Sequence, residues 1–262
     1  MQVLTPRVDL AVFFASVAQA PARVLMLDYD GTLAPFHIRP DQAVPYPEVI
    51  PVLEDIVRAG GTRLVIVSGR PADELLPLIT LSERPEIWGS HGWERLLPDG
   101  RRIAEQPDRE ARGALAAANA AIRGVMPAEA RLERKLASIA LHWRGLPALT
   151  AGKLKVDAAR VWEPIIRESA LEILAFDGGL ELRVAGCNKQ YAVKTVLSET
   201  AQDSAVAYLG DDLTDEDAFR AIKQRGLGVL VRPEFRETQA DVWIRPPEEL
   251  VSFMRHWCVK QR

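Results

Sequence analysis

The stretch Val24-Leu-Met-Leu-Asp28-Tyr-Asp30-Gly31-Thr32 decides how this chain folds. Its first four residues form a short, continuous apolar run, which is typical of a parallel strand buried on both faces. Two aspartates follow where this strand ends, and ligands of α/β sheets bind beyond the carboxyl ends of the strands. Asp28 and Asp30 are two residues apart, so extended chain directs both side chains to one side. The stretch therefore predicts a buried strand that delivers two carboxylates to one crevice.

Other apolar runs of the same kind indicate the rest of the sheet. They are Leu64–Val67, Val206–Leu209 and Gly228–Val231. Helical patterns precede, separate or follow them, over Leu10–Ala18, Tyr46–Ala59, Lys189–Ala201 and Asp215–Arg225. Because strands and helices alternate, we predict an α/β fold with a doubly wound, parallel sheet.

The middle of the chain has a different pattern. Ala111–Ile122 and Ala151–Ser169 are helical, whereas Leu132–Arg144 alternates like one half-exposed strand. Leu171–Phe176 and Leu180–Val184 predict a hairpin around the turn signal Asp177-Gly178-Gly179. We therefore expect a smaller α+β domain over residues 105–185, inserted between two parts of the core, residues 1–104 and 186–262.

Composition and charge exclude several classes of partner. The chain has 262 residues and a net charge of -3, which gives no attraction to nucleic acid or to an anionic membrane. It contains no apolar run of the length that spans a bilayer. Cys187 and Cys258 are far apart in sequence, and we expect two free thiols in a reducing compartment rather than one disulfide.

The residues before the first strand resemble an export signal only in part. Ala18-Gln19-Ala20 is similar to a signal-peptidase site, but Asp9 precedes the apolar stretch. Cleavage there would also leave almost no chain ahead of Val24. We expect a helix that covers the sheet, and a cytoplasmic protein.

The Asp28-Tyr-Asp30 pair requires a cation or a shared proton, because adjacent carboxylates repel each other. Mg²⁺ meets this need with oxygen ligands. Gly31 permits a sharp turn, and Thr32 can orient a carboxylate. An acidic turn with a capping role is the alternative.

Ser68-Gly69-Arg70 also follows a predicted strand. A hydroxyl and the N–H groups of a helix-opening turn suit a phosphate oxygen. A serine N-cap with Pro71 at the first helical position explains the same residues without a ligand.

Acidic residues crowd the segment Gly210–Asp217, directly after another predicted strand. Gathering them near Asp28 is costly without a cation. The dipole of a helix explains Asp215, but it does not explain Asp211 at the strand end.

Lys189 opens the helix that leads to this strand, where it can neutralise a nucleophile and a phosphate. Taken alone, it reads as a surface lysine.

Together these four elements, in this order, resemble the haloacid dehalogenase (HAD) superfamily. The chain further resembles the trehalose-6-phosphate phosphatase family within it, over nearly its whole length. The segments that carry this likeness are Leu27–Pro35, Val67–Arg70, Ser90–Glu94, Glu133–Lys135, Ser138–Arg144, Glu181–Arg183, Asn188–Lys189 and Leu209–Phe219. The chain departs from the family pattern at Val184, where proline is usual, and at Gln190, where glycine is usual.

The resemblance implies an Mg²⁺-dependent phosphatase with an HAD core and a cap domain that closes on a phosphosugar. It implies Asp28 as nucleophile, Asp30 as acid and base, and Ser68 and Lys189 as ligands of the phosphoryl group. Mg²⁺ would bind Asp28, the Asp30 carbonyl and Asp211, and Thr32, Asp212 and Asp215 would support them. The substrate-binding residues it implies are Arg70, His91, Glu94, Glu133, Lys135, His142, Glu181 and Asn188.

Trehalose 6-phosphate is the expected substrate, with a functional link to trehalose-6-phosphate synthase. Three other functions remain open from the sequence. The first is a phosphatase for sucrose phosphate or a mannosylglycerate phosphate. The others are a phosphosugar mutase and a non-catalytic partner that regulates a sugar-phosphate synthase.

Overall fold

The structure, a computed structural model, describes residues 1–37, 39–104, 106–176, 178–186 and 188–260 of the chain. The described residues form two compact units, Met1–Ile103 with Asn188–Arg262, and Ala104–Cys187. In chain order the elements are β1 (Gln2–Val3), α1 (Leu10–Gln19), β2 (Arg23–Leu27), α2 (Val49–Ala59), β3 (Thr62–Val67), α3 (Ala72–Leu75), β4 (Glu86–Gly89), β5 (Glu94–Leu96), β6 (Arg102–Ala104), α4 (Arg109–Arg123), β7 (Arg131–Arg134), β8 (Ser138–His142), α5 (Ala148–Arg167), β9 (Leu171–Phe176), β10 (Gly179–Val184), α6 (Lys189–Ser198), β11 (Ala205–Gly210), α7 (Glu216–Ile222), β12 (Leu227–Val231), β13 (Val242–Ile244) and α8 (Glu248–Arg255).

The larger unit is built on one sheet, with strand order β1-β13-β12-β11-β2-β3-β4-β5-β6. The strands from β13 to β4 run parallel, and β1 and β5 pair antiparallel beside them. Alternate residues of β2 pack on opposite faces. Leu25 and Leu27 contact a core that includes α1, α2 and α8, whereas Val24 and Met26 face α6 and α7. The α/β, doubly wound fold predicted from the sequence is confirmed.

The smaller unit has a four-stranded antiparallel sheet in the order β7-β8-β10-β9, together with α4 and α5. The two helices bury small and apolar side chains at helical spacing, among them Leu115 and Ala118 of α4 and Trp162 of α5. The indole Nε1 of Trp162 donates a hydrogen bond to the carbonyl of Ala118, 3.1 Å away, which joins the helices. An antiparallel sheet covered by helices is an α+β arrangement.

Several predicted elements differ from the structure. The helices predicted over 151–169, 189–201 and 215–225 have the bounds Ala148–Arg167, Lys189–Ser198 and Glu216–Ile222, and two further differences have a local cause. Residues 132–144 form two strands, β7 and β8, because the chain reverses where Lys135 N–H donates to the carbonyl of Ser138. Both arms of such a hairpin keep the alternating pattern, and the turn carries no glycine or proline, so the sequence reads as one strand. The helix predicted from Tyr46 begins at Val49. Tyr46 precedes Pro47, and proline disfavours helical backbone at the residue before it.

Some predictions fall on residues outside the described ranges. Asp177 of the predicted turn is one, and Cys187 and the domain boundary at 105 are others. Cys258 is a free, half-buried thiol. None of the described helices has the length and apolar composition needed to cross a bilayer.

Candidate active site

The strand register brings three predicted site residues to one edge of the larger sheet. Leu27 of β2 pairs with Leu209 of β11 on one side and with Ile66 of β3 on the other. Asp28, Ser68 and Asp211 therefore follow the carboxyl ends of neighbouring parallel strands, where α/β folds bind their ligands. All three are almost fully buried.

Lys189, the first residue of α6, contacts Asp28 of this group. The Asn188 side chain caps that helix by accepting the N–H of Tyr191 at 3.0 Å. Lys189 is 3% exposed, and its Nζ donates to Oδ1 of Asp28 at 2.6 Å and to Oδ1 of Asp215 at 2.7 Å. Its ammonium thus separates two buried carboxylates and is not a surface charge.

Asp215 accepts hydrogen bonds on both oxygens. Besides Lys189, the hydroxyl of Tyr208 donates to Oδ1, and the N–H groups of Asp211 and Asp212 donate to Oδ2 at 3.1 and 3.0 Å. Asp212 and Asp215 form a capping box at the start of a 3-10 turn, in which the side chain of each accepts the backbone N–H of the other. The Asp212 side chain also accepts the N–H of Leu213. These contacts make Asp215 an anchor for the lysine and for the strand end.

Asp211 has an unused oxygen that fits a cation. Its Oδ1 is buried and has no hydrogen-bond donor among the described residues. One oxygen from each of Asp28, Asp211 and Asp215 lies within 4.8 Å of the others. Gly31 has a φ of +87°, and a Cβ there would lie 2.2 Å from Oδ2 of Asp211, so only glycine permits this approach. Buried carboxylates at such spacing match the oxygen ligands that Mg²⁺ prefers.

The electrostatics of the group agree with this fit. Burial, opposed by the Lys189 charge and assisted by that of Asp215, raises the pKa of Asp28 to about 7. Burial and the charges of Asp28, Asp215 and Asp212 raise the pKa of Asp211 well above its ordinary value. Burial opposes the charge of Lys189, but Asp215 and Asp28 outweigh it and raise the lysine pKa. Besides the Lys189 ammonium, only the Arg232 guanidinium, 3.7 Å from Oδ2 of Asp211, is paired with these three carboxylates among the described residues. The group is therefore short of positive charge, which a divalent cation would supply.

Asp30 is held apart from the three clustered carboxylates. Its two oxygens accept hydrogen bonds from Nε and Nη2 of Arg70, at 2.6 and 2.5 Å. Thr32 contacts the other aspartate of the motif, with Oγ1 3.2 Å from Oδ2 of Asp28. Arg70 therefore binds the Asp30 carboxylate, whereas Asp28 contacts Thr32 in addition to Lys189.

The loops after β3 and β4 bring the remaining core residues together. Ser68 Oγ accepts the N–H of Arg70 at 3.1 Å, and the ring of His91 lies against Gly69, where a Cβ would be 2.5 Å from it. Ser90 and His91 have φ values of 50° and 59°, a strained region for residues other than glycine. Glu94 fixes this loop by accepting from Ser90 Oγ and from the N–H of Ala72. Glu94 and Asn188 are predicted substrate-binding residues, and in this structure their side chains accept hydrogen bonds from other residues of the protein.

The four remaining predicted residues lie together on the sheet of the smaller unit. Glu181 is 1% exposed and accepts from Ser138 Oγ at 2.6 Å and from Lys135 Nζ at 3.3 Å. Glu133 pairs with Nε2 of His142 at 2.9 Å. The His142 ring also packs on Phe176, with ring centroids 5.2 Å apart. The result is a continuous group of polar side chains.

Sequence reasoning missed three residues that contact the aspartates of the larger unit. Tyr208 lies within the apolar run of β11, which gave no sign that its hydroxyl reaches Asp215. Arg232 and Arg236 donate hydrogen bonds to the Asp211 carbonyl. Both lie more than twenty residues after Asp211 in the sequence, so no local sequence pattern could predict these contacts.

Comparisons with known proteins agree on one family. The model of the trehalose-phosphatase family matches residues 26–242. A probable trehalose-phosphate phosphatase 9 from Oryza sativa subsp. japonica is 31% identical over 92% of this chain and 71% of the relative. A bifunctional trehalose-6-phosphate synthase/phosphatase from Thermoproteus tenax is 31% identical over 82% of this chain and 29% of its own length. The C-terminal domain of C. albicans trehalose-6-phosphate phosphatase has the same fold, with a TM-score of 0.84, 18% identity and coverage of 98% and 99%.

Proposed function

The chain belongs to the trehalose-phosphatase family, and we propose that it hydrolyses trehalose 6-phosphate to trehalose and phosphate in an Mg²⁺-dependent reaction. It is a phosphatase with an HAD fold. The observation that carries the proposal is the buried group at the carboxyl edge of the sheet. There, Lys189 bonds Asp28 and Asp215 while an oxygen of Asp211 lacks a donor among the described residues.

In the proposed first step, a carboxylate oxygen of Asp28 attacks phosphorus and the bond from phosphorus to the sugar oxygen breaks. An aspartyl-phosphate forms, as carboxylate nucleophiles allow. Asp30 gives its proton to the departing sugar oxygen. Lys189 and Ser68 hold phosphoryl oxygens as their charge shifts.

In the second step, Asp30 takes a proton from a water molecule that attacks phosphorus. The bond from phosphorus to the Asp28 oxygen breaks, and inorganic phosphate leaves. Asp28, the Asp30 carbonyl and Asp211 would hold Mg²⁺, and Asp212 and Asp215 would support these ligands. The ion, when bound, neutralises the charge shared by the aspartates and the phosphate, which otherwise repel each other.

Asp30 begins this cycle bound to Arg70 through both oxygens. A carboxylate in that state is an acceptor, which suits the second step. To act as an acid in the first step it must carry a proton, and one oxygen must then leave the guanidinium. We infer that one oxygen of Asp30 leaves the Arg70 guanidinium as substrate binds, so that it can carry the proton for the departing sugar oxygen.

The polar group of the smaller unit would recognise the sugar. Glu133, Lys135, His142 and Glu181 offer both hydrogen-bond donors and acceptors, which is the chemistry that sugar hydroxyls need. We propose residues 105–185 as the substrate-recognition domain and residues 1–104 and 186–262 as the catalytic core. Arg70, His91, Glu94 and Asn188 are proposed substrate contacts from the core.

We further propose that the substrate comes from a trehalose-6-phosphate synthase, in the cytoplasm. One relative carries both activities in its name, so the two reactions occur within a single protein elsewhere in the family. Co-purification of a synthase with this chain, or its absence, tests whether the link involves direct binding.

The test of function is phosphate release from four compounds, with Mg²⁺ and with chelator. The compounds are trehalose 6-phosphate, sucrose phosphate, glucose 6-phosphate and a mannosylglycerate phosphate. We expect Mg²⁺-dependent release with a strong preference for trehalose 6-phosphate. Preference for another compound would contradict the sugar assignment but keep the chemistry. Isomerised phosphosugar without free phosphate would identify a mutase.

A further inference from the structure

Arg236 binds the backbone of the segment that carries Asp211. It lies on the connection between β12 and β13, and its Nε and Nη2 donate to the Asp211 carbonyl, each at 3.2 Å. Nη2 also donates to the Asp212 carbonyl at 2.7 Å. One guanidinium therefore fixes two successive peptide groups at the end of β11.

Other side chains hold this guanidinium in place. Nη1 of Arg236 pairs with Oε1 of Glu216, the first residue of α7. Glu216 in turn accepts from Thr238 Oγ1 at 2.9 Å and from the N–H of Gln239 at 2.7 Å. Arg232 adds a second cation, with Nη1 3.3 Å from the Asp211 carbonyl and 3.7 Å from its Oδ2. The connection from β12 to β13 is thus bonded to the start of α7 and to the end of β11.

The Asp211 carboxyl has little freedom once its backbone is fixed. Its Oδ2 lies so close to Gly31 that a Cβ there would be 2.2 Å away. Asp28 and Asp215 repel it, because one oxygen of each of the three carboxylates lies within 4.8 Å of the others. Without bonds to its carbonyl, this repulsion would favour a backbone shift that moves the carboxylate away from Asp28. The arginine contacts oppose that shift.

We propose that Arg236 is a positioning residue that sets the Mg²⁺ affinity of the carboxylate group by holding the Asp211 and Asp212 peptides. The inference rests on the proposed function, since it assumes that the group binds Mg²⁺. Residues that orient metal ligands without touching the metal typically change metal affinity by about 10–100-fold when replaced.

The direction in which Mg²⁺ affinity changes when Arg236 is replaced shows whether Arg236 acts through its hydrogen bonds or through its charge. The guanidinium is a cation near a cation site, so if only its charge mattered, its removal would tighten Mg²⁺ binding. If it acts through its hydrogen bonds, its removal weakens binding. Arg236→Lys retains the charge but lacks the planar set of donors that reaches two carbonyls together.

The experiment is calorimetric titration of Mg²⁺ into metal-free protein, with thermal unfolding in chelator to verify the fold of each variant. We expect Arg236→Met to raise the Kd for Mg²⁺ about 10–100-fold and Arg236→Lys to raise it by a smaller factor. At saturating Mg²⁺ both should keep the wild-type KM for the phosphosugar. Arg225→Met is the control. Arg225 donates to the carbonyls of Gln202 and Ala201, away from the carboxylates, and its loss should leave the Kd unchanged.

Three results would overturn the inference: tighter or unchanged binding in Arg236→Met, full wild-type affinity in Arg236→Lys, or equal weakening in Arg225→Met. Failure of the wild-type protein to bind Mg²⁺ would instead contradict the proposed metal dependence, and the inference would fall with it. Comparing wild type with Arg236→Met therefore distinguishes the two failures.

Discussion

Arg70 binds Asp30 through both carboxylate oxygens, with Nε 2.6 Å from Oδ2 and Nη2 2.5 Å from Oδ1. Nη1 of the same guanidinium donates to the carbonyl of Pro40 at 2.6 Å. A planar donor group held at three points fixes the rotamer of the carboxyl that it binds. Arg70 therefore fixes the orientation of the Asp30 carboxyl, the proposed acid and base of the reaction, before substrate binds.

We expect Arg70→Met to lower kcat by about 10–100-fold, because a misplaced catalytic group loses this much rate. If Arg70 positions Asp30, KM for the phosphosugar should stay near the wild-type value. If it binds substrate, as the family resemblance implies, KM should rise. Arg102→Met is the matched control, since Arg102 also binds an aspartate, Asp73, through both oxygens, but at the surface. Steady-state kinetics on both variants decide between the two roles.

Asp28→Asn should lower the turnover rate by at least roughly a thousandfold, as removal of covalent nucleophiles does elsewhere. The amide keeps the volume of the carboxyl, so the fold should persist. Phosphate release measures the loss, and circular dichroism verifies the fold. Asp55→Asn, an exposed change on α2, should retain full activity. Near-normal turnover by Asp28→Asn would contradict the proposed mechanism.

The sequence was sufficient to place Asp28 at the carboxyl edge of the sheet because the signal there is local. A buried strand such as Val24–Leu27 ends at a definite residue, so the position of Asp28 follows from the strand. Apart from the contact of Thr32 with Asp28, most contacts among the site residues were not predictable from local patterns. Lys189 reads as a surface lysine in sequence, and only the packing of α6 against the sheet buries it to 3% exposure.

Predictions from the sequence were weakest where two neighbouring elements share one hydrophobic pattern with no turn residue between them. The turn between β7 and β8 contains no residue that marks a reversal, so two strands were read as one. The Arg236 contacts join positions 25 apart, and their formation depends on how β12 and β13 pair. Such contacts depend on tertiary structure, and a single sequence carries no local sign of them.

Asp211→Asn should make the metal-free protein more stable and also abolish its response to Mg²⁺. Burial and the charges of Asp28 and Asp215 both disfavour the charged form of the Asp211 carboxylate, and a neutral amide removes both costs. Thermal unfolding in chelator should show a higher Tm for the variant than for wild type. In wild type, Mg²⁺ at 100 times its Kd should add about 2.7 kcal/mol of stability, and in the variant almost none. A lower Tm of the variant in chelator would contradict this account.

Tyr208→Phe should weaken both stability and turnover, because it deletes only the hydroxyl that donates to Asp215. A hydrogen bond to a charged group contributes about 1.5–3 kcal/mol to stability. The remaining donors of Asp215 keep Lys189 bound, so we expect kcat to fall several-fold with KM unchanged. Tyr29→Phe is the matched control, since its hydroxyl donates to the neutral carbonyl of Ala43 at 2.7 Å. Chemical unfolding and steady-state kinetics of both variants test the difference, and equal effects would exclude a special role for Tyr208.

Glu133 links the stability of the smaller unit to pH. Burial alone would raise the pKa of its carboxyl, but the hydrogen bond with His142 and the charges of Lys135, His142 and Arg131 outweigh burial and lower the pKa to about 2. Burial lowers the pKa of His142. In both cases the unfolded chain binds protons more readily than the folded chain, so acid favours unfolding.

The stability that Glu133 contributes should be complete above pH 4.5 and decline as the pH falls from there towards 2. Its size above pH 4.5 is on the order of 3 kcal/mol, since the pKa shift spans roughly 2.5 units at about 1.4 kcal/mol each. Urea unfolding of wild type and Glu133→Gln at pH 7 and pH 3.5 measures it. We expect the difference between the two proteins to be smaller at pH 3.5. The control Glu110→Gln removes the same charge from an exposed position on α4, and its effect on the free energy of unfolding should be small at both pH values. A difference between wild type and Glu133→Gln that stays constant from pH 7 to pH 3.5 would mean that Glu133 stabilises the sheet by packing rather than by its charge.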